Sequence, residues 1–174
     1  MIIWINGPYG IGKSTLAEEI SKRIQPSFIF DAEKVGDAVR DNFPQQFFKE
    51  TFEEFPLWHE MCCKLLKKLD EVYQGCVLVP MTLTRLESCT SIIERLKCNG
   101  VDVWHIMLEA GYETIRERIL ARGEEEDCWC MQQIESCLEK QKAFSCDCRI
   151  CSSEKGVQTI AEEIMHFVLL KNSH

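Results

Sequence analysis

The chain opens on an unbroken apolar run, Ile2-Ile3-Trp4-Ile5, and then changes period: Leu16, Ala17, Ile20 and Ile24 recur at three- and four-residue spacing. The first pattern predicts a strand buried on both faces over residues 2–6, the second a helix reaching about Arg23. The same change of period repeats along the sequence. Gln25-Pro26-Ser27 reads as a turn and Phe28-Ile29-Phe30 as a strand that ends at Asp31. Residues 33–42 predict a short helix, and residues 43–56, aromatic and holding Pro44 and Pro56, an irregular connection. Leu57, Trp58, Met61, Leu65, Leu66, Leu69 and Val72 form a helical stripe, and Cys76-Val77-Leu78-Val79 a strand stopped by Pro80. Residues 86–98 predict a helix closed by Asn99-Gly100. A strand over 103–108, a helix over 112–122, an acidic loop over 123–127 and a helix over 131–143 follow. Residues 147–150 fit a short fifth strand, and Val157, Ile160, Ala161, Ile164, Phe167 and Val168 mark a final helix. Strands alternating with helices predict a parallel α/β sheet covered on both faces. With 174 residues and no repeat or linker, the expectation is one domain spanning residues 1–174.

The first strand and first helix are joined by Gly7-Pro8-Tyr9-Gly10-Ile11-Gly12-Lys13-Ser14-Thr15, which fits G-x-x-x-x-G-K-[ST]. Strand, glycine-rich loop and helix stand in the order that a phosphate-binding loop requires. The glycines let backbone N–H groups turn inward around phosphate oxygens, and the helix N-terminus adds partial positive charge. In this reading Gly7, Gly10, Ile11, Gly12, Lys13, Ser14 and Thr15 cradle ATP, Lys13 reaches the β- and γ-phosphates, and the Ser14 hydroxyl is offered to Mg²⁺. For a P-loop chain of this length, analogy supplies the rest: a three-layer P-loop NTPase fold, with a five-stranded parallel sheet of nucleoside-monophosphate-kinase type in the order 2-3-1-4-5.

Charge and cysteine content narrow the class. A net charge of -8 argues against a protein whose main work is gripping nucleic acid. No apolar run approaches the roughly 18 residues that span a bilayer, and an N-terminal core strand leaves no place for a signal peptide, so a cytoplasmic location is expected. The eleven cysteines are expected to be free thiols in the reducing compartment that ATP use implies. Cys62, Cys76, Cys89 and Cys137 fall at apolar positions of strand or helix patterns and serve there as small hydrophobes. Cys128-x-Cys130 and Cys146-x-Cys148-x-x-Cys151 have spacing poorly suited to a tetrahedral zinc knuckle. The four histidines, His59, His105, His166 and His174, have no ligand spacing and are assigned no role.

Several other residues have chemistry to offer. Asp31 closes strand two at the carboxyl edge of the sheet, where open α/β folds bind ligands. There it is placed to accept the proton of an acceptor hydroxyl, to hold Mg²⁺ through water, or simply to cap the next helix. Glu33 shares these jobs or serves the helix dipole. Strand three ends Val79-Pro80-Met81-Thr82 without the carboxylate that P-loop NTPases often carry, so Mg²⁺ would rely on Ser14, phosphates, water and Asp31. Thr82 and Thr84 are candidate acceptor contacts, Arg85 a candidate partner for an anion, and Arg40 a weaker substrate-site candidate. Trp58 and the aromatics of 43–55 either line an acceptor pocket or fill the core. Arg118 and Arg122 share one helical face and match the lid arginines of small kinases, with Arg116 nearby, Gly123 as hinge and a lid over about 116–130.

Beyond the generic P-loop, the chain resembles the tunicamycin-resistance group of P-loop ATP-binding proteins. The resemblance rests on residues 2–15, Phe30-Asp31-Ala32-Glu33-Lys34-Val35-Gly36, Val79-Pro80-Met81-Thr82-Leu83-Thr84, and Arg118-Ile119-Leu120-Ala121-Arg122-Gly123-Glu124 with Trp129 and Gln133-Ile134-Glu135-Ser136-Cys137 downstream. It implies ATP binding and resistance to tunicamycin-like nucleoside antibiotics, without a settled reaction. It also allows a membrane-associated C-terminal helix, although the acidic or neutral polar face of that helix favours packing on the sheet. Phe144-Ser145-Cys146-Asp147-Cys148 departs from the group's pattern before strand five. Similarity to chloramphenicol phosphotransferase implies a base role for Asp31. Two functions lead: an ATP-dependent phosphotransferase acting on a hydroxyl of a nucleoside-like antibiotic or metabolite, with Lys13, Asp31, Arg118 and Arg122 in catalytic roles, and an ATP-dependent binding protein that sequesters its ligand unmodified. A nucleoside-monophosphate kinase is a third, and it needs more acceptor-phosphate arginines than the sequence offers.

Overall fold

The computed structural model describes residues 1–171; His174, noted above, lies outside the described residues. Strands β1 (Ile2–Asn6), β2 (Ser27–Ile29), β3 (Cys76–Pro80), β4 (Val103–Glu109) and β5 (Cys148–Cys151) form one sheet in the order β2-β3-β1-β4-β5. Every pairing is parallel, with Ile2 opposite Val77 on one side and Val103 on the other. The parallel pairing expected from the pattern and the order expected by analogy are those observed.

Two-sided burial explains the apolar runs. Ile2 and Trp4 of β1, with Val77 and Val79 of β3, face a core closed by helices α2 (Ala32–Asp41), α3 (Pro56–Val72), α4 (Leu86–Cys89) and α5 (Arg95–Cys98). Ile3, Ile5, Cys76 and Leu78 face the opposite core, beneath α1 (Lys13–Arg23) and α8 (Val157–Lys171). Alternation along each strand therefore feeds two layers, and each buried aliphatic side chain contributes roughly 1.5–3 kcal/mol. A third, smaller core of Ile115, Ile119, Met131 and Ile134 joins α6 (Tyr112–Ala121) to α7 (Trp129–Gln141). Among the described residues, no helix is long and apolar enough to cross a membrane.

The structure differs from the sequence pattern in detail. The connection over 43–55 contains two short 3-10 turns, Gln45–Phe47 and Phe52–Glu54. The helix over 86–98 passes through a π-helical turn, Thr90–Glu94, between α4 and α5. Helix α7 starts two residues earlier than its apolar stripe suggests. Trp58 is fully buried, and its Nε1 donates to the Ala32 carbonyl at 2.9 Å, so it belongs to the core. Phe52 stacks on it, with ring centroids 6.5 Å apart.

Candidate functional site

The loop over residues 7–15 leaves β1 at the carboxyl edge of the sheet and feeds α1. The N-terminus of α1 is bare: Gly12, at φ 104°, offers no capping side chain, and the first turn holds no acid. Its leading N–H groups have no intrahelical partner and face open space, the arrangement that receives a phosphate. Gly10 is required twice over. Its φ is +81°, and a Cβ there would lie 2.4 Å from Cγ1 of Ile119 in α6.

Behind the loop stands a residue to which the sequence pattern assigns nothing. Asn6 is fully buried, and its Oδ1 accepts from Gly7 N and Leu83 N, both at 2.8 Å, and from Gln141 Nε2 at 3.3 Å. Its Nδ2 donates to His105 Nε2 at 3.2 Å. Thr82 Oγ1 donates to the Gly7 carbonyl at 3.0 Å, so this substrate candidate is bonded to the loop itself. The entrance to the P-loop is thereby tied to β3, β4 and α7 at once. Burial pushes His105 down to about 4, which keeps it neutral and able to accept from Asn6.

Lys13 Nζ donates to the Gly7 and Pro8 carbonyls at 3.1 and 2.9 Å. Burial pushes its ammonium down to about 8, against a weaker upward pull from acidic neighbours such as Glu33. Ser14 and Thr15 are exposed beside it. One side of the loop opens on a cleft of about 390 Å³ lined by Gly12, Ser14, Leu16, Ser152 and Val157. Arg118 and Arg122 also line it, in different circumstances. Arg118 donates to Ile11 O and Ser152 Oγ at 2.9 Å and to Ser152 O at 2.5 Å, which locks α6 to the P-loop and to the segment after β5. Arg122 is half exposed and paired with Glu124 at 2.7 Å. Arg116 pairs with Glu126 away from the cleft.

The other side of the loop opens on two adjoining cavities, about 280 and 370 Å³, that share Tyr9, Glu50, Thr51 and Trp129. Glu33, Arg40, Phe52 and Thr82 line the first, and Thr84, Arg85, Gln133 and Lys140 the second. Tyr9 meets Trp129 edge to face at 4.8 Å, and Lys13 Nζ lies 5.7 Å from the Tyr9 ring. Asp31 is the N-cap of α2: its Oδ1 accepts from Glu33 N at 3.0 Å and Lys34 N at 3.4 Å. Its carboxylate remains 43% exposed, and Glu33, two residues on, reaches the cavity wall where Asp31 does not.

Glu53 is a second residue without a sequence signal. It is 4% exposed, yet it carries a carboxylate into the wall of the first cavity. Its oxygens accept from Thr84 N at 2.8 and 3.0 Å, Thr84 Oγ1 at 2.7 Å and Arg85 N at 3.1 Å. These partners are some thirty positions away along the chain, so no local pattern marks it. Nearby, His59 Nε2 meets Ser88 Oγ at 3.2 Å, which gives that buried histidine a structural place. Among the described residues, no cluster of three or more His, Cys, Asp or Glu side chains is arranged to hold a metal ion.

Comparison with known proteins agrees with this geometry. The sequence model of a family described as an AAA domain matches residues 3–141. Among solved structures, the tunicamycin resistance protein of Deinococcus radiodurans superposes with a TM-score of 0.81 at 28% identity, over 96% of this chain and 94% of that one. A sugar kinase from Janibacter superposes with a TM-score of 0.72 at 15% identity, over 96% and 93% of the two chains. The APS kinase of Mycobacterium tuberculosis, solved with AMPPNP and APS, gives 0.62 at 14% identity over 96% of each chain. The last two share the fold. No curated protein sequence matches the chain.

Proposed function

We propose that this chain, which belongs to the AAA-domain family, is an ATP-dependent phosphotransferase acting on a hydroxyl of a small molecule. The observation that carries the reading is the placement of the P-loop between two separate clefts, one on the side of Arg118 and Ser152 and one on the side of Tyr9 and Glu33. A nucleotide in the first and an acceptor in the second would meet across Lys13. The likeness to the tunicamycin resistance protein directs attention to nucleoside-like antibiotics as acceptors.

The residues divide the work as follows. The N–H groups of Gly12, Lys13 and Ser14 and the Lys13 ammonium hold the phosphates. The Arg118 guanidinium, held by Ile11 and Ser152, positions the nucleotide cleft against the loop. Arg122 leaves Glu124 to meet the transferring phosphoryl group as the part of the 116–130 lid that follows Arg118 closes, while Arg118 stays bound to the P-loop. The acceptor oxygen forms its bond to the γ-phosphorus, the bond to the β,γ-bridging oxygen breaks, ADP leaves, and the acceptor proton passes to Asp31, which the acceptor must reach past the cavity wall at Glu33. Thr82, Arg85, Arg40 and Glu33 shape the acceptor side. Mg²⁺ fits one protein ligand here, the exposed Ser14 hydroxyl, since β3 ends Pro80-Met81-Thr82 with no carboxylate. When bound, the ion would offset charge on the phosphates.

The test is incubation with γ-labelled ATP, Mg²⁺ and a panel of tunicamycin and common nucleosides, read by mass on the acceptor. Asp31→Asn is the informative variant, because asparagine caps a helix as well as aspartate does. Stability is expected to stay within about 0.5 kcal/mol while turnover falls about 10²–10⁴-fold. Full turnover in Asp31→Asn removes the base from this mechanism. Tight ligand binding with ATP left intact favours the second reading, sequestration, which the missing β3 carboxylate supports.

A further inference from the structure

We infer that Glu53 makes the acceptor cleft selective for molecules that carry no anionic group. The inference rests on the cavities beside Tyr9 being the acceptor site. A backbone N–H pair opening a helix, with a threonine hydroxyl and an arginine beside it, is a natural receptor for a phosphate or carboxylate. Thr84 and Arg85 provide that set at the head of the helix over 86–98. In this chain the set is already filled from within. The buried Glu53 carboxylate takes both N–H groups and the Thr84 hydroxyl, all between 2.7 and 3.1 Å.

Arg85, Arg40 and Lys13 are committed as well, which leaves Lys140 as the cation of the cleft that an anion could meet. Arg85 pairs with Glu54 at 3.4 Å. Arg40 lies 3.9 Å from Asp37 and packs its guanidinium over the Phe52 ring at 4.5 Å. Lys13 is held by the carbonyls of its own loop, and Lys140 is exposed on the far wall, contributed by α7. An incoming anion would instead meet the exposed carboxylates of Glu33 and Glu50, with the charge of Glu53 behind them. Like charges set against each other in this way cost more than a hydroxyl contact returns. A neutral polyhydroxylated or nucleoside-like acceptor meets no such barrier, and it finds the aromatic side chains of Tyr9 and Trp129 in the cavity wall.

The experiment is calorimetric titration of the protein loaded with AMPPNP and Mg²⁺, which occupies the P-loop. The probes are matched pairs: uridine with uridine 5′-monophosphate, and glucose with glucose 6-phosphate. In wild type, the neutral member of a pair is expected to bind at least about tenfold more tightly than its phosphorylated partner. In Glu53→Ala the gap closes by about the same factor, and sulfate raises the melting temperature of the variant but not of wild type, as the ion fills the vacated N–H pair. Should Glu53→Ala fail to fold, Glu53→Gln, which keeps one acceptor oxygen and removes the charge, is read for the same narrowing. Phosphorylated members binding wild type as tightly as neutral ones overturn the inference. So does a folded Glu53→Ala that sulfate leaves unchanged, even if none of the four probes binds. Discrimination without phosphoryl transfer would retire the kinase reading and leave this one standing; transfer without discrimination would do the reverse.

Discussion

Lys13 is held by two carbonyls of its own loop, in surroundings that push its ammonium down to about 8. Bound phosphates favour the charged form, so nucleotide must restore the proton wherever it has been lost. Affinity for AMPPNP is therefore expected to be flat below pH 8. Above it, affinity falls by up to about tenfold per pH unit, with proton uptake on binding. Titrations at pH 7 to 9.5 in buffers of different ionisation enthalpy measure both quantities. Constant affinity with no proton uptake across that range would mean Lys13 stays charged without nucleotide. The P-loop motif was legible because its spacing is local: nine consecutive positions contain it whole. Asn6 and Glu53 were not, because their roles consist of partners about thirty to 135 positions away. An asparagine after a strand and a glutamate in an aromatic loop look ordinary until those partners arrive.

At the scale of elements, the strands were readable because burial on both faces removes polar residues from them. β1 contributes alternately to two cores, and so do β3 and β4. The turn Phe52–Glu54 was hidden for the opposite reason. It is held by a side chain against a glycine. A Cβ on Gly36, in α2, would lie 2.4 Å from Cγ and Cδ1 of the Phe52 ring, so that ring fits only where α2 has no side chain. Gly36→Ala is expected to destabilise by about 1–2 kcal/mol, overpacking outweighing the gain in helix propensity. In a Phe52→Ala background the clash is gone, and the same substitution should stabilise by up to about 1 kcal/mol. Chemical denaturation of the four proteins checks the change of sign; the same sign in both backgrounds would show that Phe52 is not what fixes the glycine. The π-helical turn over Thr90–Glu94 left no trace in the sequence, since one extra residue in a helix barely moves an apolar stripe, and we have no physical account of its cause.

For the molecule as a whole, His105 couples acid stability to the nucleotide site. Its folded value near 4 lies below the ordinary 6.5, so between those values the unfolded chain binds the proton and the folded one does not. Stability is thus complete above about pH 6.5 and is lost as pH falls toward 4, by up to roughly 3 kcal/mol. His105→Gln, whose amide oxygen can accept from Asn6, should flatten that part of the curve. Urea midpoints from pH 7 to 4 for both proteins test it, and parallel curves would place the acid sensitivity elsewhere. The sheet order was foreseen by analogy with other P-loop chains, because a strand pattern alone does not say which neighbour each strand takes.

The ties around Asn6 also set a timetable for synthesis. β1 is made before its neighbours, Cys76–Pro80 and Val103–Glu109, and the last donor to Asn6 Oδ1 is Gln141. Until Gln141 has been made, β1 has no complete setting and its phosphate loop no fixed entrance. Long-range parallel pairing of this kind is slow and leaves apolar surface uncovered meanwhile. A nascent chain cut short before α7 would carry the whole P-loop sequence without its bracing. Nucleotide would then serve as a late check on assembly, favouring chains whose distant segments have already come home.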